Sequence, residues 1–400
     1  MKQGWEIKKL SDIGKVFNGN SINEKVKKDN YTDLVDGYSF VATKDVGFDS
    51  KIDYENGVKI PFSEKAQFKI APANTPLICA EGGSAGKKIA ITNQDVCFGN
   101  KLFALVPNKN VDSKFIFYYY FHSSFQKYFA AEMAGIIGGV SMNKFKEIEI
   151  PLPPLPEQKQ IVAILDESFA AIDKAKANAK LNHKNAKELF ESYLHGVFEN
   201  KMATGKIKTL IDFCEFKQGI QRDVKLQSEI EGNNQVRFLR IIDFTQGDEL
   251  HRYIDNPGAE YVLGENDISL VRYGASTGFV CTGLSGALAN NLFRVIPRNK
   301  NELINEFLYF YLKAPIFQRV IKESMNGAAM PAISFGLIED IPFPVVSLSH
   351  QKEIVQKLKT LADDVLRLES IYKQKIDDLE ELKKSILQKA FCGELEGASQ

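Results

Sequence analysis

Residues 157–162 read EQKQIV, and residues 350–355 read HQKEIV. Gln158, Lys159, Ile161 and Val162 return as Gln351, Lys352, Ile354 and Val355, 193 positions later, and that spacing holds as far as Phe198 against Phe391. Matches continue upstream with a drifting offset. Leu10, Asp12 and Gly19 fall against Leu210, Asp212 and Gly219, and Gly82, Ser84 and Gly86 against Gly274, Ser276 and Gly278. Asn100, Leu102, Phe103 and Pro107 meet Asn290, Leu292, Phe293 and Pro297, while Phe115, Phe125 and Gln126 meet Phe307, Phe317 and Gln318. The chain is therefore one unit of about 200 residues used twice. Insertions and deletions fall in the upstream part of each unit, and none falls in the stretch that follows.

That stretch reads as a long helix. The segment IPLPPLP (150–156) is extended and turns helical at about Pro156-Glu157, where proline suits the first turn and Glu157 complements the helix dipole. No proline occurs from 157 to 199, and the only glycine is Gly196. In the second copy Leu358, Leu361, Val365, Leu368, Tyr372, Leu379, Leu382 and Ile386 step by threes and fours, with Lys375 as a break, which is a heptad seam. The first copy places Leu165, Ser168, Ile172, Ala175, Ala179, Asn182, Ala186, Leu189 and Tyr193 at the matching positions, small where the second is large. Small facing large is how two helices of one core interlock, so the two are expected to pair with each other within one chain. The other reading is two independent surface helices. The chain runs out along the first helix, roughly 60 Å at 1.5 Å per residue, and back along the second. An antiparallel coiled coil follows, with a globular part at each end and a pseudo-twofold axis.

The globular parts mix short strand-like runs (LICAEG, FALVP, LFRVIP) with helical patterns (KFIFYYYFHSSFQKYF, EFLYFYLKAPIFQRVI). The expected class is α+β. The aromatic run IFYYYF reads as helix core and not as a base-stacking platform, because its spacing returns as LYFYL.

Composition bounds the function. Net charge is zero, so any nucleic-acid contact must come from local patches. Five widely spaced cysteines without C-x-x-C argue against a disulfide framework or zinc site and fit a reducing cytoplasm. No signal-peptide pattern or membrane-length apolar run occurs. The stretch CAEGGSAGKKIA (79–90) has the Gly86-Lys87 pair of a P-loop, but Glu81 stands where its leading glycine belongs and Lys88 where its Ser or Thr belongs. In the second copy Phe279 replaces Lys87. A shared turn with changing side chains explains both copies better than a nucleotide cradle. No N-P-P-[YF] segment and no H-E-x-x-H or H-x-x-x-H pair is present, and His183 and His195 read as solvated helix residues.

The whole layout resembles the DNA specificity subunit of Type I restriction–modification systems. PLPPLPEQKQIVAILD heads one helix and AFCGEL follows the other. The second junction, IPFPVVSLSHQKEIV, is a degraded form, with Val346 and His350 where the first copy has Pro153 and Glu157. The resemblance implies target-recognition domains at 1–153 and 204–346, conserved long helices at 154–203 and 347–395, and a tail at 396–400. It implies no catalytic site and no cofactor in this chain. Each domain would read half of a bipartite, asymmetric site in double-stranded DNA, and the paired helices would set the unread gap. Two modification (methyltransferase) subunits holding S-adenosylmethionine would dock on the chain, restriction subunits would join them, and no membrane is involved. A coiled-coil scaffold that assembles partners without reading DNA is the alternative.

Reading base edges needs Arg or Lys for guanine and Asn or Gln for adenine. The loops offer Lys87 and Lys88 in the first copy, and Arg272, Ser276 and Thr277 in the second. Asn100 and Lys101 stand against Asn290, Asn291 and Arg294. The turn after the opening strand supplies Asn18 and Asn20, or Gln218, Gln221 and Arg222. Asn100 and Asn290 read equally well as turn residues bonding their own backbone. Every arginine lies at or after Arg222, so the two halves either read by different chemistry or have drifted in Lys/Arg usage.

Overall fold

A computed structural model describes residues 2–133, 138–247, 250–325 and 332–395. The proposed tail at 396–400 lies outside them. The chain folds as two compact units. Unit 1 comprises the first 179 residues and the chain from Gln374 onward, and unit 2 is Lys180–Lys373.

The internal repeat is visible strand by strand. In unit 1 a four-stranded antiparallel sheet has the order Gly14–Asn18, Leu102–Pro107, Pro76–Cys79, Ile89–Ile91. In unit 2 the same order is Cys214–Gln218, Leu292–Pro297, Ile268–Val271, Val280–Cys281. A second sheet in unit 1 orders Lys59–Ile60, Tyr38–Val41, Val96–Phe98 and Ile70–Ala71, with a parallel pair at its centre, Phe40 opposite Cys97. Unit 2 matches it with Tyr253–Asp255, Gln235–Leu239, Gly286–Leu288 and Val262–Leu263, with Phe238 opposite Ala287. Central strands such as PLIC and ISLV are buried throughout because both faces are covered, with Ser269 their one polar residue. The α+β class expected from the sequence is the one observed.

Gly19 and Gly219 directly follow strands Gly14–Asn18 and Cys214–Gln218 and mark where the chain passes close to another strand. A Cβ at Gly19 would stand 1.8 Å from the Phe98 carbonyl oxygen, and one at Gly219 would stand 2.2 Å from that of Ala289. The aromatic run of unit 1 is core, as expected: Phe115, Ile116, Tyr118, Tyr119 and Tyr120 are all buried with helix Ser113–Tyr119.

A two-stranded clasp closes each unit. Glu6–Lys9 pairs with Glu149–Leu152, and Ile207–Thr209 with Pro342–Pro344, so the proline-rich segments begin as strands. Long helices follow at Leu155–Thr204 and Leu348–Cys392. Within unit 1 their segments run antiparallel. Leu165 shares a core with Leu387, Ala390 and Phe391. Asp173 then meets Lys383 (2.9 Å), and Lys176 meets Glu380. Within unit 2 Leu194 and Phe198 pack with Val355 and Leu358, again in opposite sense.

The heptad register needs a correction. Leu358, Val365, Tyr372, Leu379 and Ile386 face inward, but Leu368 and Leu382 point to solvent. Leu361 is half-buried as expected, with Ala362 beside it. Beyond it the intervening half-buried positions fall one residue later than expected, at Glu369, Ile376 and Lys383, and Lys375 is exposed off the seam and breaks nothing. On the first helix Leu165, Ile172, Ala179 and Ala186 are buried as expected, whereas Asn182, Leu189 and Tyr193 are exposed beside inward His183, Phe190 and Leu194. The cause is two adjacent apolar stripes, one for the partner helix and one facing outward.

Candidate nucleic-acid interface

The glycine loops have one geometry in both copies. Gly82 and Gly86 have φ of 85° and 72°, and Gly274 and Gly278 have 89° and 85°, values that favour glycine. The Ala85 N–H donates to the Gly82 carbonyl (2.9 Å) and the Gly86 N–H to Cys79 (2.8 Å). In unit 2 Thr277 donates to Gly274 (3.1 Å) and Gly278 to Val271 (2.9 Å). Gln126 Nε2 then donates to the Gly86 carbonyl (2.9 Å) and to that of Tyr120, as Gln318 Nε2 does to Gly278 (3.0 Å) and Leu312 (2.7 Å). The glutamines that recur in the sequence are thus latches, a role their positions alone did not reveal. Backbone groups of the loop are turned onto its own fold, as expected of a shared turn. Both loops also carry the G-x-S-x-G spacing of hydrolase nucleophile elbows. An elbow joins a strand to a helix, whereas these loops join antiparallel strands. Burial pushes the Cys97, Cys214 and Cys281 thiols up to about 12, so they are not thiolates at neutral pH.

Three loops meet along a rim in each unit. In unit 1 Asn20 N donates to Phe98 O (2.8 Å), Ala80 N donates to Lys101 O (2.9 Å), and Lys101 Nζ lies 3.6 Å from Glu81. Lys87 and Asn100 are exposed on this rim. Lys88 is held inward, donating to Thr43 O (3.0 Å) and lying over the Phe48 ring. Asn18 accepts from Lys69 Nζ (2.8 Å), and Asn20 is tied to Gln67 O and Lys69 N, so Asn20 braces its turn.

In unit 2 Gln218 donates to Asn290 O (3.0 Å) and Asn290 to Gln221 Oε1 (3.4 Å), with Arg222 exposed beside them. Arg272 N donates to Asn291 O (2.8 Å), joining the glycine loop to the same rim. The Arg272 guanidinium packs on Tyr273 and Phe335, and its Nε donates to Ile333 O (3.1 Å). Ser276 is half-buried in the loop, and Thr277 Oγ1 donates to Gly274 O (2.6 Å). Arg294 is mostly buried, pairing with Asp267 (2.9 Å) and donating to Glu260 O (3.0 Å), so its fork is engaged within the unit. Its partners lie far off in sequence, and no local signal announced them.

This doubled rim on a doubled fold coincides with a doubled family match. The model of the Type I restriction modification DNA specificity domain matches residues 2–183 and again 202–380. The chain belongs to this DNA specificity family. As a family member it is similar to the Type I restriction enzyme MjaVIII specificity subunit of Methanocaldococcus jannaschii, at 24% identity over 98% of this chain and 93% of that one. The fold is that of the HsdS subunit from Thermoanaerobacter tengcongensis, with a TM-score of 0.67, 21% identity and 99% and 98% of the two chains covered. It also matches a chain from a structure describing complex assembly and conformational transition of the type I R-M system, with a TM-score of 0.80, 19% identity and 99% of each chain covered.

Proposed function

We propose that this chain is the sequence-reading subunit of a Type I restriction–modification assembly. The domain at 1–153 reads one half of a bipartite, asymmetric duplex site and the domain at 204–346 reads the other. The observation that carries this reading is the coincidence of the doubled family match with the two loop rims. Lys87, Asn100, Gln221 and Arg222 are solvent-facing donors and acceptors of those rims, and Lys101 is exposed beside Asn100. Among the other candidates, Asn18, Lys101, Gln218, Asn290 and Asn291 lie within reach of the same edge, while Asn20, Lys88, Arg272, Ser276, Thr277 and Arg294 shape it. Catalysis resides in partners. Two modification subunits carrying S-adenosylmethionine dock on the chain, restriction subunits join that core, and the assembly works in the cytoplasm. Leu189 and Leu382 stand 193 residues apart on the two helices, and each is about half-exposed, which supports two equivalent docking places. A scaffold that does not read DNA has no use for two recognition folds.

The test is competition binding with the modification subunit present, on duplexes varied one base at a time. Lys87→Ala should weaken binding and leave preference in the half read by unit 2 unchanged. Equal affinity for every duplex would overturn the reading.

A further inference from the structure

Around strands Gly14–Asn18 and Cys214–Gln218, beside the rim, the two copies carry opposite electrostatics. In unit 1 a cleft of about 430 Å³ is lined by Lys15, Phe17, Lys65, Phe68, Lys69 and Ile70. No carboxylate lines it. Lys15 Nζ lies over the Phe17 ring (5.4 Å), and Lys69 Nζ reaches only the neutral Asn18 Oδ1 (2.8 Å). Among the described residues none of the three lysines has a carboxylate partner.

Strand register identifies the counterpart. Phe17 pairs with Ala104, and in unit 2 the equivalent pair is Lys217 with Arg294. Both of these cations are neutralised: Lys217 pairs with Glu260 (2.9 Å) and Arg294 with Asp267 (2.9 Å). Lys217 also covers the Tyr261 ring at 4.7 Å. By the same register Glu215 stands where unit 1 has Lys15, so three cations stand without carboxylates in one copy, and two cations stand with three carboxylates in the other.

We infer that the cleft of Lys15, Lys65 and Lys69 seats a DNA backbone phosphate, and that unit 2 lacks this seat because Glu260 and Asp267 neutralise its cations. The inference rests on the proposed DNA-reading function. Phe17, Phe68 and Ile70 line the cleft beside three exposed lysines, an uncompensated cation cluster of the kind that holds a phosphate and positions without reading sequence. Counterion release then comes unequally from the two halves of the target.

The experiment measures the salt dependence of binding by the specificity–modification complex to a random-sequence duplex, which does not depend on base preference. The triple variant Lys15→Gln, Lys65→Gln, Lys69→Gln should shrink the slope of log K against log salt by about one, and leave preference at both half-sites unchanged. Lys217→Gln should leave the slope as it is, whereas Glu260→Gln should steepen it by freeing Lys217. An unchanged slope in the triple variant, or an equal loss with Lys217→Gln, overturns the inference. A wild-type complex with an ordinary salt slope but no base preference would instead count against the proposed function and leave the phosphate seat standing.

Discussion

Gln158 accepts the backbone N–H of Asp112 at 2.8 Å with a side chain that is fully buried. Its Nε2 donates to Pro153 O (2.8 Å) and Asn110 O (3.2 Å), tying the first turn of the long helix to the start of helix Ser113–Tyr119. Gln351 repeats the arrangement, accepting from Ile304 N (3.1 Å) and donating to Glu302 O and Val346 O (2.7 Å each). The residue shared by EQKQIV and HQKEIV is therefore the joint between each recognition fold and its helix. Gln158→Leu strands one buried N–H and two carbonyls, and should cost about 3 kcal/mol, read as a lower urea midpoint.

Gly86 and Gly83 should behave differently although they share one loop. Gly86 has positive φ, and a Cβ there would lie 2.8 Å from Phe129 Cδ1, whereas nothing lies within 4 Å of one at Gly83. Gly86→Ala should destabilise by more than about 1 kcal/mol, and Gly83→Ala should be nearly silent in thermal denaturation. Equal effects would contradict the loop geometry.

Asp243 predicts a pH dependence. Burial alone would raise its pKa, but hydrogen bonds from Arg240 N, Arg237 and the Arg240 side chain outweigh it and hold the carboxyl below its usual range. Being depressed on folding, this group stabilises above the unfolded carboxyl pKa of about 3.9. That stabilisation is lost as pH falls through the lower folded value. Asp243→Asn should therefore be destabilised at neutral pH, and the gap from wild type should close in acid. A gap that is constant with pH would exclude the carboxylate as its source.

The antiparallel pairing is open to chemical cross-linking. In a Cys392→Ser background, which removes the one exposed thiol, Asp173→Cys with Lys383→Cys should join within a single chain under a short bismaleimide. Dimers as the only product would mean that the helices pair between chains.

Much of this architecture was legible in the sequence. The constant 193-residue offset announced the helices, and the shared glycines announced the loops, because both depend on local backbone rules. The helix seam was only half legible. Leu368 and Leu382 are as apolar as the residues that pack, and burial distinguishes them only once the partner helix is in place. The site was least legible. Arg294 reads in the sequence as a base-edge candidate, and its partners Asp267 and Glu260 are brought to it by tertiary contact. Gln126 and Gln318 were matched without a role, since the loop carbonyls they latch, those of Gly86 and Gly278, are 40 residues away.

The measurement that bears most directly on the central claim is a map of methylated adenines in cells carrying this chain with its modification subunit. One asymmetric bipartite motif with a fixed gap is expected. Replacing residues 204–346 by the matching domain of a relative should change one half of the motif and keep the other half and the gap. A contiguous motif, or both halves changing at once, would contradict the account.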